Sequence, residues 1–374
     1  MKPIVLILVT GMVVCNVYSA NIPKRAGKST TTTTITTTTK VAPIPVIFDT
    51  DMGNDVDDAL ALDMLYKYHQ DKKINLLGVV SNKDAEHSTV FVDIMNNFYG
   101  LPTLPIGKIY KGAVCVRENE YSFVVAADTT WKKTIKDHSN LPASHLLMRK
   151  LLAGQKDRSV VIISVGFLSN LSRLLQSGAD EFSPLSGKEL VAKKVKYMSL
   201  MGGEFEENDT QTACLMAIQN GTPITVPSKA GPKKKRNEYN IRYDNTASQN
   251  VFNNWPTEII VSPFEVGKYI LYPATSIEND FKFVDKHPVV QAYKAYAKMP
   301  YDRPCWDLTS VLYVVEPNWF SMTEKGHVLV TDEAYTYFVP CPKGNSRYLK
   351  TSKEQQQAIV NRLVEIITRK PANL

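Results

Sequence analysis

The stretch Ile44-Pro45-Val46-Ile47-Phe48-Asp49-Thr50-Asp51-Met52-Gly53-Asn54-Asp55-Val56-Asp57-Asp58-Ala59-Leu60 decides how the chain is read. Ile44 to Phe48 is a short apolar run of the kind buried as a strand in a parallel sheet. It empties into a loop where five carboxylates fall within ten residues, Asp49 to Asp58. Uncompensated, they would repel one another, and partial burial would raise their pKa values. A hard cation resolves that conflict: Ca²⁺ gathers roughly six to eight oxygen ligands, and Mg²⁺ fewer with more water. The next segment, Asp57 to Tyr68, reads as a helix with Ala59, Leu62, Leu65 and Tyr66 on one face. Its dipole accounts for acids at 57 and 58, but not for Asp49 and Asp51 on the strand end. The loop therefore reads as a cation site.

Two competing motifs fit poorly. An EF-hand loop requires a Glu at its last position, and counting from Asp49 reaches Leu60 instead. Asp49-Thr50-Asp51 resembles the nucleophile motif of aspartate-based phosphohydrolases, a class that places its metal-binding acids far downstream.

Outward from this loop the pattern alternates. Ile74 to Val80, Val160 to Ile163, Val195 to Leu200 and Glu258 to Val261 read as strands. Thr89 to Tyr99, Ser169 to Gln176, Ser310 to Val315 and Ser352 to Thr368 read as helices. This predicts one domain over residues 43–374: a doubly wound, Rossmann-like α/β fold whose mostly parallel sheet is flanked by helices. Ligands then bind beyond the carboxyl ends of the strands.

The N-terminus sets the expected compartment. Lys2, the apolar run Pro3 to Val14 and small residues at Ser19 and Ala20 read as a signal peptide over 1–20. The run is short for a membrane span, which leaves an uncleaved N-terminal anchor as the alternative. Cys15 stands where a lipoprotein cysteine would, but Val14 before it is too large. Residues 21–42, with threonines at 30–34 and 36–39, read as a disordered linker. The expectation is a secreted or periplasmic protein.

Of the net charge of +7, Lys2, Lys24, Arg25, Lys28 and Lys40 carry five. The run Lys233-Lys234-Lys235-Arg236 outweighs the remaining +2, so the rest of the domain is slightly acidic. That distribution excludes a nucleic-acid binder, which would spread Arg and Lys over a face with interleaved aromatics. Cys115, Cys214, Cys305 and Cys341 lie 99, 91 and 36 residues apart, so they form no metal knuckle. Disulfides and free thiols both remain open. The six histidines show no ligand spacing.

The acidic loop resembles that of the inosine–uridine nucleoside hydrolase family: a strand ending Asp-Thr-Asp, a Gly, then Asp-Asp-Ala-Leu opening a helix. Further blocks follow in family order. They are Leu77-Gly78-Val79-Val80-Ser81-Asn82, Val165-Gly166-Phe167-Leu168-Ser169-Asn170, Met201-Gly202-Gly203, Glu238-Tyr239-Asn240-Ile241-Arg242-Tyr243-Asp244 and Trp306-Asp307. The resemblance implies hydrolysis of the N-glycosidic bond of a ribonucleoside by a Ca²⁺-activated water. Asp51, Asp58, Asp307 and the Val165 carbonyl would ligate Ca²⁺, and Asp51 would also accept the water's proton. Asp57 and Asn240 would hold the ribose 2′- and 3′-hydroxyls and Glu238 the 5′-hydroxyl, while Asn82 would line the same pocket. The expected partner is a small ribonucleoside, and a homo-oligomer is compatible with the sequence.

The sequence also departs from the family. The acidic loop carries two extra residues, with Met52 for the usual Pro and Asp55 as an added acid that could take a ligand's place. Trp306 stands where many members have a His that protonates the leaving base. Stacking by aromatic rings would instead stabilise a protonated purine, so the expectation leans to purine nucleosides, with Trp306 in a catalytic role; a core Trp filling the space is the alternative. Between Gly203 and Glu238 an insertion replaces a short family segment. The Asn that helps bind the 5′-hydroxyl has only Asn208 and Asn237 as candidates, and the Lys run could accept a phosphate. Two other functions stay open: a nucleoside- or ribose-binding protein without turnover, and a metal-dependent hydrolase of other ribosides or of phosphate esters.

Overall fold

The computed structural model describes residues 42–111, 120–205, 215–219, 222–226 and 237–374. The expected signal peptide at 1–20, the Thr-rich tract, Cys115, Cys214, Asn208 and the run 233–236 lie outside the described residues. In chain order the strands begin with β1 (Ile44–Thr50), β2 (Ile74–Ser81), β3 (Ile106–Gly107), β4 (Val160–Ser164) and β5 (Val195–Met201). A separate hairpin, β6 (Leu215–Gln219) and β7 (Thr222–Val226), and β8 (Glu258–Ser262) come next. The chain continues with the short pair β9 (Leu271–Tyr272) and β10 (Arg303–Pro304). β11 (Ser321–Met322), β12 (Gly326–Val330), β13 (Thr336–Pro340) and β14 (Ser346–Lys350) complete the set.

Ten of these strands make one sheet in the order β13-β12-β14-β8-β5-β4-β1-β2-β3, with β11 paired to β14. From β3 to β14 every neighbouring pair is parallel. β12, β13 and β11 add an antiparallel edge. Helices pack on both faces, giving two apolar cores. One holds Phe48, Leu62, Leu65, Leu308 and Leu363, and the other Ile47, Ile162, Leu171, Leu174 and Val261. Alternating side chains of β1 thus feed opposite cores, which is why the run is apolar without a break.

The topology also fixes where a ligand can enter. The chain runs β1 to β2 to β3 toward one edge, then returns to place β4 on the other side of β1. The crevice at such a switch point opens at the strands' carboxyl ends, between the turns that follow β1 and β4. Those turns carry Asp51 and Val165. A doubly wound sheet was expected, and this is one.

Candidate active site

A cavity of about 230 Å³ opens at the switch point. Its lining includes Asp51, Asp57, Asp58 and Asp307 with Val165, Glu238 and Asn240, and its aromatic members are Tyr239, Phe264 and Trp306. Residues separated by more than 250 positions in sequence therefore share one crevice.

Each carboxylate has a structural reason for its place. Asp51 directly follows β1, and Asp57 and Asp58 open the helix Asp57–Gln70, where the positive dipole end favours them. Asp307 lies in the first turn of the helix Trp306–Val315, and its N–H donates to Asp57 Oδ2 at 3.2 Å. Thr50 donates its hydroxyl to Asp58 Oδ1. Asp51 Oδ2 and Asp58 Oδ2 are buried without a hydrogen-bond partner among the described residues.

Burial and mutual repulsion act together here. Burial pushes the Asp51 carboxyl up to about 8, opposed by the Lys83 ammonium and reinforced by Asp55 and Asp57. Asp58 and Asp307 are held well above the usual carboxylate range by burial and then by their acidic neighbours. Asp57 is raised by burial, with the Arg303 guanidinium pulling against it. Asp49, behind the site, rises to about 6 through burial, although Asn170 and Ser164 donate to it at 2.8 Å each.

The donor chemistry fits a hard divalent cation. Two buried carboxylate oxygens lack partners, like-charged groups crowd one cavity, and Val165 presents its carbonyl among them. Among the described residues, no group of three or more His, Cys, Asp or Glu side chains stands arranged to hold a metal ion as they are. Part of their capacity is taken, with Asp57 turned to Arg303 and Asp58 Oδ1 to Thr50.

Asn240 and Glu238 come from the short helix Tyr239–Tyr243 and its cap. Asn240 Nδ2 donates to the Val165 carbonyl at 3.3 Å, tying this helix to the turn after β4. Glu238 caps the helix, accepting from the N–H groups of Asn240 at 3.0 Å, Ile241 at 3.2 Å and Gly203 at 3.2 Å. Burial lifts its carboxyl to about 7 against those three donors. Gly203 adopts a φ of +74°, a left-handed turn that favours glycine, and its carbonyl receives the Phe264 N–H at 2.9 Å. The Met201-Gly202-Gly203 segment thus positions both Glu238 and Phe264.

The remaining expectations divide. Asn82 is buried but is not among the lining residues; its Oδ1 accepts from the Phe167 N–H at 3.0 Å, behind the turn at Gly166. Asp55 lines the cavity rim, yet its carboxylate pairs with Arg303 at 2.7 Å and accepts from Tyr296 at 2.6 Å. Asn237 donates to the Glu333 carbonyl. Trp306 stacks with Phe264, ring centroids 5.3 Å apart and planes 24° from parallel, and its indole N–H donates to the Phe264 carbonyl at 3.0 Å. Cys305 is a buried free thiol and Cys341 a partly buried one.

Sequence reasoning passed over several residues. Thr50 looked like a spacer between two acids, but it fixes Asp58. Tyr121 donates to the Asp55 carbonyl and accepts from the Gly53 N–H, and buried Lys83 donates to the Gly53 carbonyl at 3.0 Å, so both hold the acidic loop. Arg303 is a guanidinium three residues upstream of a quoted block, and only its partners give it meaning.

A doubly wound sheet with a carboxylate-lined crevice at its switch point and an aromatic wall defines a nucleoside hydrolase-type α/β protein. The chain belongs to the inosine-uridine preferring nucleoside hydrolase family, whose model matches residues 46–365. Its fold is similar to that of a plant nucleoside hydrolase, PpNRh1, with TM-score 0.62 and 18% identity over 88% of this chain and 100% of that one. The inosine-uridine preferring nucleoside hydrolase from Bacillus anthracis gives 0.60 and 16% over 86% and 99%. A purine-preferring ribonucleoside hydrolase from Gardnerella vaginalis gives 0.61 and 14% over 87% and 99%. Comparison with curated protein sequences finds no match. Family and fold together support hydrolysis of ribonucleosides. Among the described residues, no helix is long and apolar enough to cross a membrane.

Proposed function

We propose that this protein hydrolyses the N-glycosidic bond of ribonucleosides, with a preference for purines, using a water activated at a Ca²⁺ held by Asp51, Asp58, Asp307 and the Val165 carbonyl. The observation that carries this reading is the convergence of those residues on one cavity in which two buried carboxylate oxygens lack partners. The bound cation would lower the pKa of a water, so that the nucleophile exists near neutral pH. Asp51 would accept a proton from that water. Asp57 and Asn240 orient the sugar through its hydroxyls, and the buried Glu238 carboxylate at the cavity wall receives the 5′-hydroxyl. As the C–N bond breaks, positive charge grows on the sugar ring, and the surrounding carboxylates stabilise it. Phe264 and Trp306 form the wall against which a purine stacks.

The test is hydrolysis of inosine and uridine by the purified protein with added Ca²⁺. Inosine should be cleaved faster, and chelation should abolish both activities reversibly. Uridine cleaved clearly faster would sink the stacking argument, and full activity after chelation would sink the cation.

The raised carboxyls give a pH dependence with a definite sign. Their protons must leave before the oxygens can ligate, so Ca²⁺ should bind more tightly as pH rises toward about 8, with proton release. In the cation-free protein the folded-state pKa values lie above the unfolded ones. The cluster's stabilising contribution is therefore fully present below pH about 3.9 and lost as pH rises through about 8. Melting temperature should increase more on Ca²⁺ addition at about pH 8 than at about pH 6. An equal increase at both would contradict the coupling.

One observation favours a second reading, a riboside-binding protein without turnover. The Trp306 N–H already donates to a backbone carbonyl, and among the described residues the cavity lining contains no histidine to protonate the departing base.

A further inference from the structure

Arg303 is the least expected residue beside the site. It lies on β10, paired with Tyr272 of β9, and only 7% of its surface is exposed. Its Nε and Nη2 both donate to Asp57 Oδ1, at 3.2 and 3.0 Å. Nη2 also pairs with Asp55 at 2.7 Å, and Nη1 donates to the Tyr296 hydroxyl at 3.0 Å. Tyr296 in turn donates to Asp55, closing a ring of three side chains around the guanidinium. The guanidinium carbon lies 4.9 Å from the Tyr296 ring centre and 5.0 Å from that of Trp306.

A carboxylate oxygen offers two lone pairs. Asp57 Oδ1 receives two N–H groups from Arg303 and is full. Asp57 Oδ2 receives the Asp307 N–H and keeps one acceptor position. A planar fork fixed on three sides cannot swing away to free the first oxygen, whereas a flexible ammonium could. Asp57 therefore offers a cavity ligand one hydrogen-bond acceptor in one orientation.

We propose that Arg303 is a positioning residue for sugar selectivity, fixing Asp57 so that its one open acceptor takes a single hydroxyl of a ribosyl ring and the site rejects rings that lack it. This rests on the reading that a riboside occupies the cavity. Arg303 is not among the residues that line the cavity, so it acts through Asp57. Asp55 supplies the counter-charge that keeps a buried guanidinium beside the site. That gives the added acid of the loop a function other than ligation.

The experiment compares inosine with 2′-deoxyinosine and 3′-deoxyinosine for the full chain and for Arg303→Gln and Arg303→Lys. Binding of D-ribose and 2-deoxy-D-ribose, measured by calorimetry, is a second readout. The unmodified protein should prefer the intact ribosyl ring. Arg303→Gln should lose about ten-fold or more of that preference for one deoxy analogue, with a rise in KM for inosine. Arg303→Lys keeps charge without the fork and should fall between. If Arg303→Gln does not fold, Tyr296→Phe removes one side of the ring of contacts and should lower the preference in the same direction. A folded variant with an unchanged ribo-to-deoxy ratio overturns the proposal while leaving the hydrolase reading intact. Failure of the unmodified protein to bind or cleave any nucleoside overturns both.

Discussion

Asp51→Asn should reduce nucleoside hydrolysis by about 10²–10⁴-fold while sugar affinity stays largely intact. The amide has nearly the same shape, so β1 and the loop hold, but it cannot take a proton from water. Asp51 is also buried, with an unpartnered oxygen in the crowded cavity, and no other lining carboxylate directly continues β1. Single-turnover rates on inosine, alongside ribose affinity by calorimetry, separate the two quantities. A variant that retains most of its turnover would remove Asp51 from the chemistry. Parallel losses of affinity and rate would reduce it to a binding residue.

Gly166→Ala should be nearly as damaging, although Gly166 bears no side chain to do chemistry. A Cβ there would lie 2.5 Å from Asn82 Oδ1 and 2.7 Å from both the Cβ and the backbone N of Asp51. No flexible side-chain end can yield on the Asp51 side, so the turn after β1 must move. A displacement of about 1 Å in a catalytic group can cost roughly 100-fold in rate. Overpacking of this kind adds about 1–3 kcal/mol of destabilisation. The measurements are kcat/KM on inosine and a denaturant midpoint. Activity close to that of the unmodified chain would show that the β1 and β4 turns need not touch for function.

The contrast between these residues and Arg303 shows what the sequence could reveal. β1 and its acidic loop were legible because two physical demands conflict within one short segment. An unbroken apolar run requires burial, and carboxylates that follow it without a spacer require compensation. The glycine-bearing blocks at 166 and 202–203 were legible through resemblance, and the structure supplies their reason in close backbone approach and a left-handed turn. The last strands of the sheet were not read. Gly326–Val330 and Thr336–Pro340 of the antiparallel edge, and Ser346–Lys350 beside it, are short and half-buried, so they show neither clean alternation nor an apolar run. Arg303 was illegible for a different reason. Its pairing with Asp57 spans 246 residues, and nothing local distinguishes an arginine that neutralises a buried acid from one in solvent. The fate of Asp55 was undecidable for the same reason, since a ligand and a counter-ion are spelled alike.

Trp306 and Asp307 are successive residues on one helical turn, and a Cβ at Gly267 would approach the Trp306 Cα to 2.4 Å. The wall against which a base would rest and an acid of the same crevice are thus bolted to one piece of backbone. Phe264, the other half of that wall, belongs to a separate segment following β8. A lineage adapting to new nucleobases has one exchangeable panel and one fixed one: a different side chain at 264 alters the wall without touching an acid, whereas repositioning 306 drags the acid beside it.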